Sequence, residues 1–303
     1  MTSLLDLEVF VRAVDSGSIS AAARSLELTP AAASTALKRL EQQVGTRLLA
    51  RSTRSLRLTE EGRRYLASVR IALAALAEGA EAIAEQYEGL SGVLQVSAPS
   101  DFGRHALLPW LDEFKRLHPR LQVHLLLNDR HADLYREPVD IALRFGVPSD
   151  SAMVALPILS EHRRVVCASP TYLARHGTPR TPAELNEHQA VLYLRNGQPY
   201  SNWRLTQGER VEEVNVNGDY LCDDGEVARR WALAGHGLIY KAWLDVVGDI
   251  QRGALVQVLA DWQGEPAPFN LLCPHRAQVS ERVKALRSFL QDCCARVLAG
   301  GEV

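Results

Sequence analysis

Leu4, Leu7, Phe10, Val11 and Val14 recur at helical spacing, which predicts an amphipathic helix that Gly17 ends. Ser18 or Ser20 caps a second helix reaching Leu26, with Ala22, Ala23 and Leu26 turned inward, and Leu28 makes the turn. Thr29 followed by Pro30 supplies a capping hydroxyl and a proline at the first helical position. A third helix then runs to about Val44, where Gly45 can take the left-handed conformation. Its two faces differ. Ala33, Leu37, Leu40 and Val44 pack inward; Ala31, Thr35, Lys38 and Gln42 face out, with Ser34 and Arg39 at the margins. The stretch Leu48 to Leu58 alternates near its end and predicts a small β-wing beside this helix.

Thr59 caps a longer helix that opens with Glu60 and Glu61, acids placed where the helix dipole favours them. Leu66, Val69, Leu73, Leu76, Ala80, Ile83 and Tyr87 then alternate at spacings of three and four, a heptad seam. Such a seam serves either a two-fold dimer or packing on the helix's own domain. The dimer suits a reader of two DNA half-sites. Leu90-Ser91-Gly92 is the expected hinge. Beyond it, strands alternate with helices: Val93 to Ser97, Leu121 to Leu126, Val139 to Phe145, Val154 to Leu159 and Arg164 to Ala168 as strands, with helices from Ala106 to Leu117, after Asp223 or Asp224, and from Ser280 to about Leu298. That alternation predicts an α/β region with largely parallel sheets.

Charge sharpens the picture of the first sixty residues. The 303-residue chain has a formal net charge of only −2, so a nucleic-acid surface has to be local. Between Ser34 and Leu58 six basic residues, Lys38, Arg39, Arg47, Arg51, Arg54 and Arg57, stand against the single acid Glu41. Small side chains at the start of the third helix allow close approach to a groove, and Ser34, Thr35 and Lys38 can reach base edges or phosphates. A solvated basic face is the plainer alternative. The candidate DNA-binding residues are Ser34, Thr35, Lys38, Arg39, Arg51 and Arg54.

Five cysteines, Cys167, Cys222, Cys273, Cys293 and Cys294, have neither metal-ligand nor disulfide-framework spacing. Asp6 and Glu8 stand where a signal peptide needs basic residues, and no apolar run is long enough to cross a membrane. These features place the protein in the cytoplasm. The sequence holds no G-x-S-x-G, H-E-x-x-H or P-loop motif, and its histidines are scattered, so no enzyme, cofactor or metal site is expected.

Phe10, Gly17-Ser18, Ala22-Ala23, Leu26, Ser34, Leu40-Glu41, Gly45, Leu48, Arg51, Leu58-Thr59 and Gly62 together resemble the signature of the LysR-type transcriptional regulators, with Ile19 and Leu49 where that family usually has phenylalanine. The resemblance covers essentially the whole chain. It implies a winged helix-turn-helix over residues 1–59, a dimerising linker helix over 60–90 and an effector-binding domain over 91–303. That domain would be α/β and similar to a small periplasmic binding protein, with subdomain I at about 91–160 and 268–303 and subdomain II at about 161–267. The implied partners are promoter DNA, RNA polymerase, a small-molecule effector and further copies of the chain, as a dimer and then a homotetramer.

The best ligand constellation is Ser97-Ala-Pro-Ser100-Asp101-Phe102-Gly103, at the end of a strand and the start of a helix. The Ser100 hydroxyl, free N–H groups there and Arg144 would cradle a carboxylate, with Phe145 beside Arg144, and Phe102 and Trp203 as aromatic walls. The alternatives are that Ser100 only caps its helix, that Arg144 is tied in an internal salt bridge, and that the two aromatics belong to a core. The negative Asp101 speaks against a small acid. Cys222, just before a helix start, is the candidate for an alternative, thiol-switched trigger. A ligand-binding or enzymatic α/β protein with an accessory basic domain is the other alternative.

Overall fold

The computed structural model describes residues 3–51, 56–129, 139–147, 153–195, 197–273 and 279–301, with the side chains of 51, 74, 77, 78 and 80–88 left aside. The chain divides into two compact units, Met1–Tyr87 and Glu88–Val303.

In the first unit α1 (Leu4–Ser16), α2 (Ile19–Ser25) and α3 (Pro30–Val44) close around Phe10, Ala23, Leu37 and Leu40, all almost wholly buried. The Ser18 and Thr29 hydroxyls accept N–H groups at the starts of α2 and α3, as their sequence positions predict. Gly45 ends α3 at φ 77°, a conformation that favours glycine. β1 (Leu49–Arg51) and β2 (Leu56–Leu58) pair antiparallel as a wing. α4 (Glu60–Glu88) follows, its first turn capped by Thr59. A Cβ on Gly62 would sit 2.1 Å from the Leu48 carbonyl oxygen, so only glycine lets this turn lie against the wing's backbone.

The heptad seam on α4 divides in two. Leu66 and Val69 are buried in the core of the first unit and Leu73 packs against it, so this part serves the helix's own domain. Leu76 is 59% exposed. The side chains of Ala80, Ile83 and Tyr87 lie outside the described residues.

The second unit contains a five-stranded sheet in the order β4 (Leu121–Leu127), β3 (Gly92–Ala98), β5 (Ile141–Phe145), β16 (Phe269–Cys273) and β6 (Val154–Leu159). Against it pack α5 (Ser100–Phe102), a π-turn over Gly103–Leu107, α6 (Leu108–Leu117) and α10 (Glu281–Leu298), which buries Leu286, Leu290, Cys293 and Cys294. The chain leaves this sheet after Leu159 and returns at Phe269.

The intervening segment builds three smaller sheets. β7 (Arg164–Ala168) lies between β13 (Ile239–Ala242) and β14 (Val256–Val258); β8 (Gln189–Arg195) lies between β9 (Gln198–Pro199) and β12 (Asn217–Cys222); β10 (Asn202–Gln207) lies between β11 (Arg210–Asn215) and β15 (Gln263–Gly264). α7 (Pro170–His176), a 3-10 turn over Pro182–Glu187 and α8 (Gly225–Leu233) pack on them. α9 (Trp243–Gln251) serves both halves: Leu244 and Val247 join the core of the large sheet, whereas Val246 joins the core beside α8.

The expectation of largely parallel sheets is corrected. β3 runs parallel to β4 and β5, and β8 to β12, but β16 is antiparallel to both its neighbours, as are β13 and β14 to β7. The physical reason is connectivity: β16 re-enters the large sheet from the opposite direction after the excursion through the smaller ones.

Candidate DNA-binding and effector sites

On α3 the outer face is as the spacing predicts. Ala31, Thr35, Lys38 and Gln42 are exposed and Ser34 is half-buried. The Thr35 hydroxyl donates to the Ala31 carbonyl at 2.9 Å, which keeps it folded along the helix. Arg39, exposed at the margin of this face, also has an internal partner. Its Nε donates to the wholly buried Asp6 carboxylate at 2.7 Å and its Nη2 forms a second, shorter bond, so the guanidinium braces α3 against α1. Glu41, the lone acid of the basic stretch, accepts the Leu48 and Leu49 N–H groups at 2.9 and 3.1 Å and holds the wing. Both acids are thus engaged internally, and Lys38 remains exposed on the outer face. The Arg51 side chain and the whole of Arg54 lie outside the described residues.

In the second unit a cavity of about 120 Å³ lies between the large sheet and the smaller ones. β5 contributes Arg144 and Phe145, β7 Arg164, β8 Tyr193, β10 Trp203, and β13 Tyr240 and Lys241. Three of the expected ligand residues, Arg144, Phe145 and Trp203, therefore line one space. Arg144 donates to the Leu143 carbonyl and to the Ser97 hydroxyl at 2.8 and 2.9 Å. Trp203 stacks on Tyr240 with ring centroids 5.3 Å apart, and its indole N–H donates to the Tyr200 carbonyl.

Ser100 and Phe102 do not take the roles expected of them. Phe102 is wholly buried among Trp110, Phe145 and Phe269, with ring centroids 4.8–5.7 Å away, and is a core residue outside the cavity. Ser100 stands at a helix start, but its anion seat is taken. Its N–H donates to Asp129 Oδ1 at 2.6 Å and its hydroxyl to Asp129 Oδ2. The Gly225 N–H, at the start of α8, donates to the same Oδ2 at 2.6 Å. One carboxylate therefore satisfies two helix starts belonging to the two halves of the unit.

Beneath this bridge lies a network of buried charge. Lys241 Nζ is 2.6 Å from Asp101 Oδ2 and 3.0 Å from Asp245 Oδ2, while Arg229 forms a two-pronged pair with Asp249. Nearer the surface, Arg104 meets Glu226 at 2.7 Å. Burial, reinforced by Asp245, pushes the Asp101 carboxyl up to about 7 against the pull of Lys241. The two carboxylates hold the Lys241 ammonium above its ordinary value despite its burial. Asp101 points into this network, which answers the doubt its charge raised: it meets a lysine of the protein itself.

The cysteines give no support to a thiol trigger. Burial pushes the Cys222 thiol up, and Cys167, Cys273 and Cys294 rise to about 12, opposite to the depression a reactive thiol needs. No group of metal-ligating side chains occurs among the described residues, and no described helix is long and apolar enough to cross a membrane.

Sequence reasoning missed Asp129, Lys241, Tyr193 and Arg164. Asp129 follows β4 at the carboxyl end of a parallel strand, the edge where such sheets place ligand groups. Lys241 is a charge within the apolar run Leu238 to Ala242, and a charge so placed calls for a buried partner.

Comparison with known proteins agrees with this architecture. Residues 4–63 match the family described as bacterial regulatory helix-turn-helix protein, lysR family, and residues 87–295 match the LysR substrate binding domain. The regulator CrgA of Neisseria meningitidis serogroup B is 32% identical over 300 residues, covering 99% of each chain. The transcriptional activator TtdR of Escherichia coli K12 is 32% identical over 268 residues, 85% of this chain and 83% of that one. The structure of Neisseria meningitidis CrgA superposes with a TM-score of 0.61 at 31% identity, over 97% of this chain and 99% of that one. Full-length AphB, a virulence activator of Vibrio cholerae, gives 0.57 at 27% identity, over 96% and 99%.

Proposed function

The chain belongs to the LysR family of DNA-binding transcriptional regulators, and we propose that it reads operator half-sites through α3 and its wing and alters that reading when a small organic molecule enters the cavity around Arg144. Members of this family bind promoter DNA and small-molecule effectors and assemble as oligomers. In this reading Ser34, Thr35 and Lys38 face the major groove, Arg51 and Arg54 meet phosphates, and the exposed face of α4 at Leu76 joins two copies, with a tetramer on DNA. RNA polymerase is the further partner, and the site of action is the cytoplasm.

The observation that carries the effector reading is the Asp129 bridge. A cavity walled by both halves of the unit has those halves tied by one carboxylate at the two helix starts. A ligand that competes with Asp129, or that pairs with Arg144 beside it, favours one arrangement of the halves over the other, which is what a population shift requires. An effector carboxylate is received first by Arg144, and reaches the Ser100 seat only by displacing Asp129.

A thermal-shift screen of small acids on the full chain tests this. Asp129→Asn keeps the shape and removes the competing charge, so carboxylate hits should tighten about tenfold, whereas Arg144→Ala should weaken them by a similar factor. Carboxylate affinities that respond to neither substitution would remove the reading.

A further inference from the structure

A second pocket, of about 390 Å³, adjoins the cavity and shares Val147, Arg164 and Arg195 with it. Its lining is unusual in charge. Arg163, Arg164, Arg195 and Arg204 converge on it from β7, β8, β10 and the turn before β7, against the single acid Glu265. Among the described residues, no carboxylate lies within 4.0 Å of any of these four guanidinium groups, unlike the paired arginines Arg39, Arg229 and Arg296.

The guanidiniums of Arg163, Arg164 and Arg195 are held in place by neighbours that leave their charge uncancelled. Arg164 and Arg195 both lie over the Tyr200 ring, 5.3 and 5.2 Å from its centroid, and Arg164 also reaches the Tyr240 ring at 6.0 Å. Arg163 donates to the Gly264 carbonyl at 3.2 Å. The buried Tyr200 hydroxyl has no hydrogen-bond partner among the described residues. Burial and the neighbouring Arg195 push the Arg164 guanidinium below its ordinary pKa, against the weaker pull of Asp245 and Glu265. Stacking on an aromatic face orients the planar fork of an arginine, and such forks match phosphoryl and carboxylate oxygens.

We propose that this arginine pocket binds a multiply charged oxyanion, a phosphoryl group or paired carboxylates, carried by a molecule whose remainder enters the adjoining cavity. The inference rests on the effector reading above and narrows it: the effector is a polyanion at one end, and Arg164 and Arg195 bridge its two parts. The concave wall and converging forks suit a compact anion better than the extended backbone of a duplex.

The test is isothermal titration of the full chain with inorganic pyrophosphate and, separately, citrate. The variants are Arg195→Ala/Arg204→Ala, both at exposed positions, and Lys38→Ala as a control for anions bound by the DNA-reading surface. Unfolding temperature without ligand checks the fold of each. At least one probe should bind saturably, weaken about tenfold or more in the double variant and be unaffected by Lys38→Ala. Tighter pyrophosphate points to a phosphoryl ligand, and tighter citrate to paired carboxylates. Absence of binding by both, binding unchanged in the double variant, or binding lost with Lys38→Ala alone would overturn the proposal. So would a fall in ligand-free operator affinity in the double variant, which would make the pocket a DNA contact. Hits weakened by Arg144→Ala while neither probe binds would leave the inner site standing and this one refuted. Probe binding lost only in the double variant, with no molecule responding to Arg144→Ala, would refute the inner site instead.

Discussion

The two units handle charge in opposite ways. On the first, Asp6 and Glu41 are bound internally, to a guanidinium and to backbone N–H groups, and Lys38 is left facing out. At the junction in the second, Asp101, Asp129, Lys241 and Asp245 are gathered inward, Asp101 and Asp245 paired with Lys241 and Asp129 bound by two helix starts. The first arrangement suits a permanent polyanionic partner, whose affinity comes from neutralising phosphates. The second suits a switch, because a ligand must displace or join contacts that already exist.

Removing a cation from the inward network should have the largest effect. Lys241→Ala leaves Asp101 and Asp245 buried without their shared counter-charge, a change that typically costs about 3–5 kcal/mol. Denaturant unfolding should show the loss in the second unit, with the first unit's transition unmoved. A variant as stable as the native chain would mean that water already reaches these groups.

Next in size is Leu76→Asp. Leu76 is exposed on α4, so the first unit should still fold, whereas an apolar dimer seam would have to bury a charge at a cost of about a few kcal/mol. Sedimentation should show dissociation. Leu73 is a poorer choice because it packs on the first unit's own core.

A smaller effect concerns pH. Asp101 rises on folding from 3.8 to about 7, so across that window the native state binds more protons than the unfolded one. Stability from this group is therefore greatest at the acid end and falls as pH climbs towards 7. Unfolding curves of the native chain should lose ground to those of Asp101→Asn over the same range, and parallel curves would refute the buried, partly protonated carboxyl.

Much of the first unit was legible in the sequence, and less of the second. Thr29-Pro30, Gly45 and the alternation of Ala33, Leu37 and Leu40 act within a few residues of themselves, so spacing reveals them. The dual use of the α4 seam was not legible, because Leu66 and Leu76 share a periodicity and differ only in what covers them. Ser100 was located correctly at a helix start, but its occupant comes from 29 residues away and Gly225 from 96 beyond that occupant. The pairing of Arg39 with Asp6 is hidden for the same reason: Asp6 lies 33 residues earlier and looks like any first-turn acid. Long-range pairing of charge leaves no local pattern.

The smallest expected effect is on DNA. Lys38→Ala should make the logarithmic salt dependence of operator binding shallower by about one unit, whereas Arg104→Ala, whose charge is engaged by Glu226, should leave the slope unchanged. Equal changes would erase the contrast between the units.

The most direct measurement combines ligand and operator. Trp203 lines the cavity, so a ligand from the screen that enters it should change the indole fluorescence, and Trp203→Phe should abolish that signal. The same titration, followed with labelled operator present, should show operator affinity changing at the same ligand concentrations, with both responses lost in Arg144→Ala. A ligand that changes operator affinity equally in the native chain and in Arg144→Ala, with the Trp203 signal silent, would contradict the placement of the switch in this cavity.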